Sequence, residues 1–490
     1  MKEHLPALQV VIPLIAAPLC ILLHRAGLAW AVATFVSWIA WAISASLLQQ
    51  VLAGGEIVYA MGGWAAPFGI EYRVDDFNAF VLFIISGANA WLLIFARRSV
   101  EQEIAHDRQY LFYTLWLLNL TGLLGITITG DAFNLFVFLE IASLSTYAMV
   151  SFGGTREALL ASYRYLVIGT IGATFILIGI GLLYMMTGTL NMADLSDRLP
   201  QLSSNRAVHA ALGFFAVGIA IKMALFPLHS WLPASYTHAP SVVSALLAAT
   251  ATKVGIYIWL RIFFTVCGTK LSFEMMHLEL ILMPLAVVGI VVTSVVAVFQ
   301  TNVKRMLAYS SVAQIGYIVL GISFLSGSGL TAAIVHLFNH ALMKAALFMA
   351  LGCIVYRVGG ADLKTLSGIG RRMPWTMGAF VVAGFSLVGV PLTVGFISKW
   401  YLLVAALEAG FVWIAFVVVA TSLIAFVYVW KVVEAGFFRP LPTQHESITE
   451  APLSMLVPLW FFVGANIYFG LKTELTVRVA ARAAESLLGG

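Results

Sequence analysis

In the stretch HLFNHALMKAALFMA, two histidines and a lysine stand four residues apart: His336, His340 and Lys344. At about 1.5 Å rise per residue they form a ladder roughly 12 Å tall on one side of a helix. Other ionisable residues interrupt apolar runs in the same way. Glu140 lies in GDAFNLFVFLEIASLSTYAMV, about 15 Å from the start of its helix, and Lys222 in GIAIKMALFPLHSWLPASY. Lys253 lies in VVSALLAATATKVGIYIWL and Lys399 in GFSLVGVPLTVGFISKWYLL. A charge at the centre of a bilayer costs about 3 kcal/mol or more, so such residues mark function or a tight pairing.

The chemistry these residue types allow is proton transfer. A lysine whose counter-ion moves alternates between holding and releasing H⁺. Histidine titrates near neutral pH and passes protons between its two ring nitrogens. The expected chain is Glu140–Lys222, then Lys253, then the His336/His340 ladder with Lys344, then Lys399. Ser143, Ser145, Tyr147, Ser244, Thr252 and Ser398 are expected to order water along it. Plainer readings exist for single members. A Glu140–Lys222 pair alone also suits a structural staple, and a lone membrane histidine suits a polar link to a neighbouring carbonyl. His229 and His238, near ends of segments, suit helix-end hydrogen bonding. Snorkelling accounts for lysines near span ends but not for Lys222 and Lys253, which are too deep. The i, i+4 spacing of His336 and His340 suits zinc, but no carboxylate or cysteine stands beside them as in H-E-x-x-H, so no metal is expected. There is no phosphate loop, dinucleotide fingerprint or defensible Ser-His-Asp set, so neither a cofactor nor catalytic residues are expected.

These residues need a membrane frame around them. The 490-residue chain is 61% hydrophobic and 10% charged, whereas soluble domains carry roughly 25% charged residues. Its apolar blocks run to about 18–28 residues, enough to cross ~30 Å of hydrocarbon. The expected fold is an all-α polytopic membrane protein of about fourteen transmembrane helices, forming one transmembrane domain over 1–490. The N-terminal MKEHLPALQVVIPLIAAPLCILL reads as the first span and not as a removed signal peptide. Cys20, Cys267 and Cys353 show no pairing pattern. A net charge of +5 is no signal for nucleic acid, and none is expected as a partner.

Loop charge orients the spans. Arg25, Arg97, Arg98, Arg108, Arg156, Arg164, Lys304, Arg305, Arg357, Lys364, Arg371 and Arg372 form the basic set, expected in the cytoplasm. The other loops mix Arg73, Arg198, Arg206 and Lys270 with Glu56, Glu71, Asp75, Asp76, Asp194, Asp197 and Glu274. Both termini are then expected outside. Two spans are punctuated by proline, one at Pro227 and Pro233, the other at Pro391. Proline removes a backbone bond, and paired broken helices in two halves point to a transport site. Lys222 precedes its break and Lys399 follows its own, which suits inverted repeats over 109–265 and 279–437, each a proton half-channel.

At these residues the chain resembles the antiporter-like subunit family shared by Mrp-type Na⁺/H⁺ antiporters, respiratory complex I and membrane-bound hydrogenases. The resemblance runs from about Gly62 to the last span. It is carried by GDAFNLFVFLEIASLSTYAMV, KMALFPLHSWLPASYTHAPSVVSALLAATATKVGIY, NVKRMLAYSSVAQIGY, HLFNHALMKAALFMALG and GVPLTVGFISKWYLL. It implies fourteen helices with two inverted five-helix repeats and two broken helices. The family's glutamate falls on Glu140, its lysines on Lys222 and Lys253, its histidine pair on His336 and His340, and its terminal residue on Lys399. His238, Pro240 and Ser244 stand where the family has H-A-P-x-x-x-S. Lys399 replaces a glutamate of one complex I subunit type, and the length and motifs resemble the D type of Mrp subunit most. The resemblance implies a proton-translocating subunit of a multisubunit monovalent cation (Na⁺)/H⁺ antiporter, an ion transporter subunit and not an enzyme. It implies other hydrophobic subunits, H⁺, Na⁺ and lipid as partners, in the bacterial inner membrane. The alternatives are a proton-pumping subunit of a complex I-like or hydrogenase-type oxidoreductase, or a subunit of an ion-coupled uptake complex.

Overall fold

The computed structural model describes residues 2–489. Its helices are α1 (Leu5–Leu23), α2 (Ala26–Gly54), α3 (Asp76–Glu103), α4 (Gln109–Ile128), α5 (Ala132–Ser151), α6 (Arg156–Thr187), α7 (Met192–Arg198), α8 (Arg206–Lys222), α9 (Trp231–His238) and α10 (Ser241–Ala249). They continue as α11 (Ala251–Leu260), α12 (Leu278–Val298), α13 (Val303–Ser323), α14 (Gly327–Val358), α15 (Pro374–Val388), α16 (Val394–Glu408), α17 (Val412–Phe438), α18 (Leu453–Leu471) and α19 (Glu474–Leu487). Among the described residues, twelve helical segments are long and apolar enough to cross a membrane. The pairs α8/α9 and α15/α16 are two further segments of spanning length, each broken in the middle. The chain is a polytopic all-α membrane protein. Polar caps start many of its spans: Asp75, Asp131, Thr155, Asn302 and Ser326 each accept a first-turn backbone N–H through the side chain. Such caps satisfy donors that apolar surroundings would leave orphaned.

Both expected breaks fall at their prolines, between α8 and α9 and between α15 and α16. Each contains a non-glycine residue in the left-handed region, Ala224 (φ 58°) and Leu392 (φ 74°), a conformation that costs roughly 1–2 kcal/mol. A break in dry surroundings also frees carbonyls, which must find donors within the protein. The Trp231 indole donates to the Ile221 carbonyl at 2.9 Å. The Lys399 ammonium donates to the carbonyls of Leu387 (3.0 Å) and Val388 (2.8 Å). A third break, which no proline announces, separates α10 from α11 at Thr250 (φ −125°, ψ −54°), and there Lys253 donates to the Ala248 carbonyl.

One face of the bundle carries elements that hydropathy alone does not reveal. Strands β1 (Ile57–Ala60) and β2 (Glu71–Val74) form an antiparallel hairpin with Ile57 opposite Val74. The amphipathic α19 lies at the same face, where Arg482 meets Asp76 at 3.1 Å. His4 reaches the Tyr59 hydroxyl at 3.0 Å, so both ends of the chain lie at this hairpin face. At the same face Asp131 bridges to Asn191, and Ala132 N–H donates to the Leu190 carbonyl at 2.8 Å. Asn302 bridges to Asp362 in the same manner at the opposite face, with Val303 N–H on the Ala361 carbonyl at 2.8 Å.

Helix α14 is the axis of the bundle. It is buried without interruption from Gly329 to Ile354, whereas α6, α12 and α17 each expose an apolar face. It packs against α10, α13, α15, α16 and α18.

Replacing Trp231 by Phe keeps most of the ring's bulk but removes one of two donors to the Ile221 carbonyl, which retains the Ala224 N–H at 3.1 Å. We expect a loss of about 0.5–1.5 kcal/mol, read as a lower unfolding midpoint of the purified protein, whereas Trp400→Phe, at an exposed ring, should leave the midpoint unchanged.

Candidate proton-translocation site

Glu140 sits on α5 and Lys222 ends α8, where the two charged groups lie 4.0 Å apart. That is an ion contact without a hydrogen bond. The Lys222 ammonium instead donates to the Ser143 hydroxyl at 2.9 Å and lies 3.4 Å from the Tyr147 hydroxyl. The pair is therefore loosely coupled, with two hydroxyls ready to hold the lysine when the carboxylate moves. Ser145 turns back onto its own helix, bonding the Ile141 carbonyl at 2.7 Å.

A cavity of about 40 Å³ touches Lys222, Ser143, Thr146 and Asn119 on one side and Ala251, Val254 and Gly255 of the Lys253 helix on the other. That volume admits one or two waters, with several polar neighbours to hold them. Lys253 itself is fully buried, bonded to the Ala248 carbonyl and 3.5 Å from the Thr252 hydroxyl. It stands in the first turn of α11, just past α10, which packs along α14.

The ladder on α14 forms as expected, with the two imidazole rings stacked at 6.2 Å between centroids and 7° between planes. Its rungs differ in their bonding. His336 has both nitrogens engaged, Nδ1 with the Ser398 hydroxyl at 2.7 Å and Nε2 with the Gln314 amide oxygen at 3.0 Å. His340 has neither nitrogen engaged by protein, although it is fully buried. Lys344 is anchored sideways to α13, on the Leu307 carbonyl (2.8 Å) and the Ser310 hydroxyl. Ser398 links the ladder to the next residue, Lys399, whose ammonium also bonds the Ser422 hydroxyl at 2.9 Å and faces the Tyr317 ring at 5.2 Å.

Sequence reading missed the polar stripe on α13. Ser310, Gln314 and Tyr317 contact Lys344, His336 and Lys399 in turn, and Tyr317 hydrogen-bonds Thr421 of α17 at 2.7 Å. The signal was available, since these residues recur at helical spacing on the face of α13 that α14 covers. The supporting residues are scattered. Pro227 and Pro391 lie in the breaks, and the His229 ring packs on Phe226 at 5.3 Å, away from the ladder. His238 ends α9, and Ser244 bonds the Tyr236 carbonyl at 2.8 Å, which ties α10 to α9 across the prolyl loop.

The fold that carries these residues is shared with known proteins. Residues 129–425 match the NADH:quinone oxidoreductase/Mrp antiporter transmembrane family. The chain belongs to that family. Within it, the chain is 40% identical to the N-type subunit of the NADH-quinone oxidoreductase of Desulforudis audaxviator, over 97% of both chains. It is 31% identical to the D-type subunit of the Na(+)/H(+) antiporter of Alkalihalophilus pseudofirmus, over 91% of this chain and 89% of that one. Among solved structures, a chain of the membrane-bound sulfane sulfur reductase, an archaeal respiratory membrane complex, superimposes with a TM-score of 0.90 at 31% identity, covering 99% of this chain and 98% of that one. A chain of the Mrp complex from Dietzia superimposes equally well, with a TM-score of 0.90 at 26% identity, over 99% and 97%. Members with antiporter names and members with redox names thus share this fold.

Gln314→Leu removes the Nε2 partner of His336 while leaving the ladder in place. Proton flux through the assembled complex is expected to fall by about tenfold to a hundredfold, near the lower end of what one positioned proton donor or acceptor contributes, while Gln314→Glu should retain most of it. Dye-reported acidification of vesicles carrying the complex is the measurement.

Proposed function

We propose that this chain is the proton-translocating subunit of a multisubunit membrane complex, and that protons move along Glu140, Lys222, Lys253, His340, His336 and Lys399, with Lys344 biasing the histidines. The observation that carries the reading is the unpaired state of His340. A fully buried imidazole with neither nitrogen engaged by a protein group, stacked on His336, suits a relay that exchanges partners better than a structural link, which would be bonded to a neighbouring side chain or carbonyl. The chain crosses the membrane fourteen times in this reading, with 109–265 and 279–437 as inverted repeats. The matching Asp131–Asn191 and Asn302–Asp362 bridges at opposite faces support it. The basic loops lie at the face opposite the hairpin, which supports a reading with the hairpin and both termini outside the cell membrane. A C-terminal reporter that fluoresces in the cytoplasm would refute that orientation.

Partner subunits follow from Glu140. Its side chain is 26% exposed, on a stripe of α5 shared with exposed Phe133, Val137 and Leu144. A carboxylate open to lipid is costly, so another hydrophobic subunit covers it. The complex is proposed to be a monovalent cation (Na⁺)/H⁺ antiporter, as the name of the Alkalihalophilus relative suggests. Na⁺ wants several oxygen ligands, and this chain offers one deep carboxylate, so the cation crosses mainly through a partner. At about 2.3 kcal/mol per charge per 100 mV, proton entry drives Na⁺ out only if more than one H⁺ enters per Na⁺, or if a pH gradient assists. The second reading, a redox-driven proton pump, is favoured by the 40% identity to a quinone oxidoreductase subunit. Na⁺/H⁺ exchange in everted vesicles without electron donors decides for the antiporter; H⁺ movement that appears only with a donor decides for the pump.

Lys222→Ala or Glu140→Ala is expected to lower transport by about a hundredfold or more with the complex still assembled on native gels. Transport at the parent rate in both variants would remove the proton path.

A further inference from the structure

Lys253 begins a second ladder. Tyr257 and Arg261 follow it at four-residue steps, each roughly 6 Å further along the helix, toward the hairpin face. The Tyr257 hydroxyl donates to the Thr127 carbonyl at 2.8 Å and accepts from Arg261 Nε at 3.2 Å. Arg261 then meets Asp75 at 2.7 Å. Asp75 is itself held as the cap of α3, accepting the Asn78 N–H at 2.9 Å. The second terminal nitrogen of Arg261 is buried without a partner. Beyond the guanidinium opens a cavity of about 420 Å³, lined by Glu56, Arg73, Asp76, Thr129 and Asp197 among others. The cavity reaches Tyr257 and Arg261 but not Lys253.

We propose that this cavity is the aqueous mouth of the proton path at the hairpin face, and that Arg261, fastened to Asp75 and Tyr257, is the plug that separates it from Lys253. The inference rests on the proton-path reading above. A cavity of this size with charged walls holds many waters, so the barrier to H⁺ lies where the lining ends, at the hydrogen-bonded Arg261–Tyr257 pair. An arginine stays protonated, and a fixed positive charge in a narrow polar passage repels protons and cations. Its pair with Asp75 also fills the passage, while the Tyr257 hydroxyl donates its only proton to the Thr127 carbonyl and has none to offer water. The plug is built to move. Arg261 opens a π-helical turn (Arg261–Val266) that interrupts the α-helical ladder, a feature frequent at functional sites. Around the cavity, Asp197 and the unengaged Oδ1 of Asp76 offer carboxylate oxygens toward which the guanidinium can swing, whereas Glu56 is held by Arg73. Arg261 and Asp75 are thus positioning residues that set access to Lys253.

The test places a cysteine at Thr252, which is 1% exposed beside Lys253, in a chain whose Cys20, Cys267 and Cys353 are replaced by alanine. The assembled complex in right-side-out vesicles is treated with a small membrane-impermeant methanethiosulfonate. With Arg261 present, labelling is expected to be slow. Arg261→Gln, and separately Asp75→Asn, should speed it by about tenfold or more, the effect of shifting the closed–open balance by about 1.4 kcal/mol, while Arg261→Lys should behave as the parent. Using both variants, each checked for assembly, guards against misfolding of one. Equal labelling rates across all four chains would overturn the plug, even if Lys222→Ala stops transport. Faster labelling in a complex that transports normally as Lys222→Ala would leave mouth and plug standing and instead remove the proton path as what they guard.

Discussion

The governing constraint is that most polar groups inside this bundle are out of reach of bulk water, so the carbonyls freed at helix breaks and the buried lysines must find partners within the protein or its few polar cavities. The breaks in α8/α9, α10/α11 and α15/α16 release carbonyls, and two of the three are closed by lysines. Lys253 and Lys399 therefore hold the breaks together and, in the proposed path, carry a labile proton with the same nitrogen. A change in protonation at either lysine alters what satisfies the backbone beside it. That couples proton position to helix geometry without any separate device.

Lys222 departs from this arrangement. Its break is satisfied by the Trp231 indole, which leaves the ammonium free to choose among Glu140, Ser143 and Tyr147. The 4.0 Å contact with Glu140 is what a pair looks like when the carboxylate has competing partners, and the exposure of that carboxylate at the chain's flank leaves it open to groups outside the chain. The two ends of the proposed path thus differ in kind. The Glu140 end is open to influence from outside the chain, whereas the Lys399 end is fastened to the backbone, to Ser422 and against the Tyr317 ring.

Members of this family with antiporter names and with redox names share the fold, and the physics explains why. Moving a proton through a dry bundle requires spaced titratable groups, helix breaks and a buried central helix, whatever supplies the energy. In the proposed reading the coupling partner acts at the edges, through surfaces such as the Glu140 stripe, and the path itself is indifferent to it.

Much was legible in the sequence because a membrane makes polar residues conspicuous. The apolar blocks, the prolines at 227 and 391, and the seven intruding ionisable residues were all visible, since a charge in a hydrocarbon-length run has so few plain explanations. Hydropathy could not reveal the β1/β2 hairpin or the amphipathic α19, which lie at the face and are not long apolar runs. The break at Thr250 carried no proline and is set by how Lys253 competes for the Ala248 carbonyl. Serine, glutamine and tyrosine on α13 look ordinary in a sequence, and they matter only because α14 lies against them. The same holds for Arg261, near the end of its span: pairing with Asp75, far away in the chain, turns it from a flanking cation into a plug. Residue types determined that protons could be held here; only tertiary packing decided which groups touch, because hydrogen bonds form between neighbours in space and helix periodicity says nothing of which helices are neighbours.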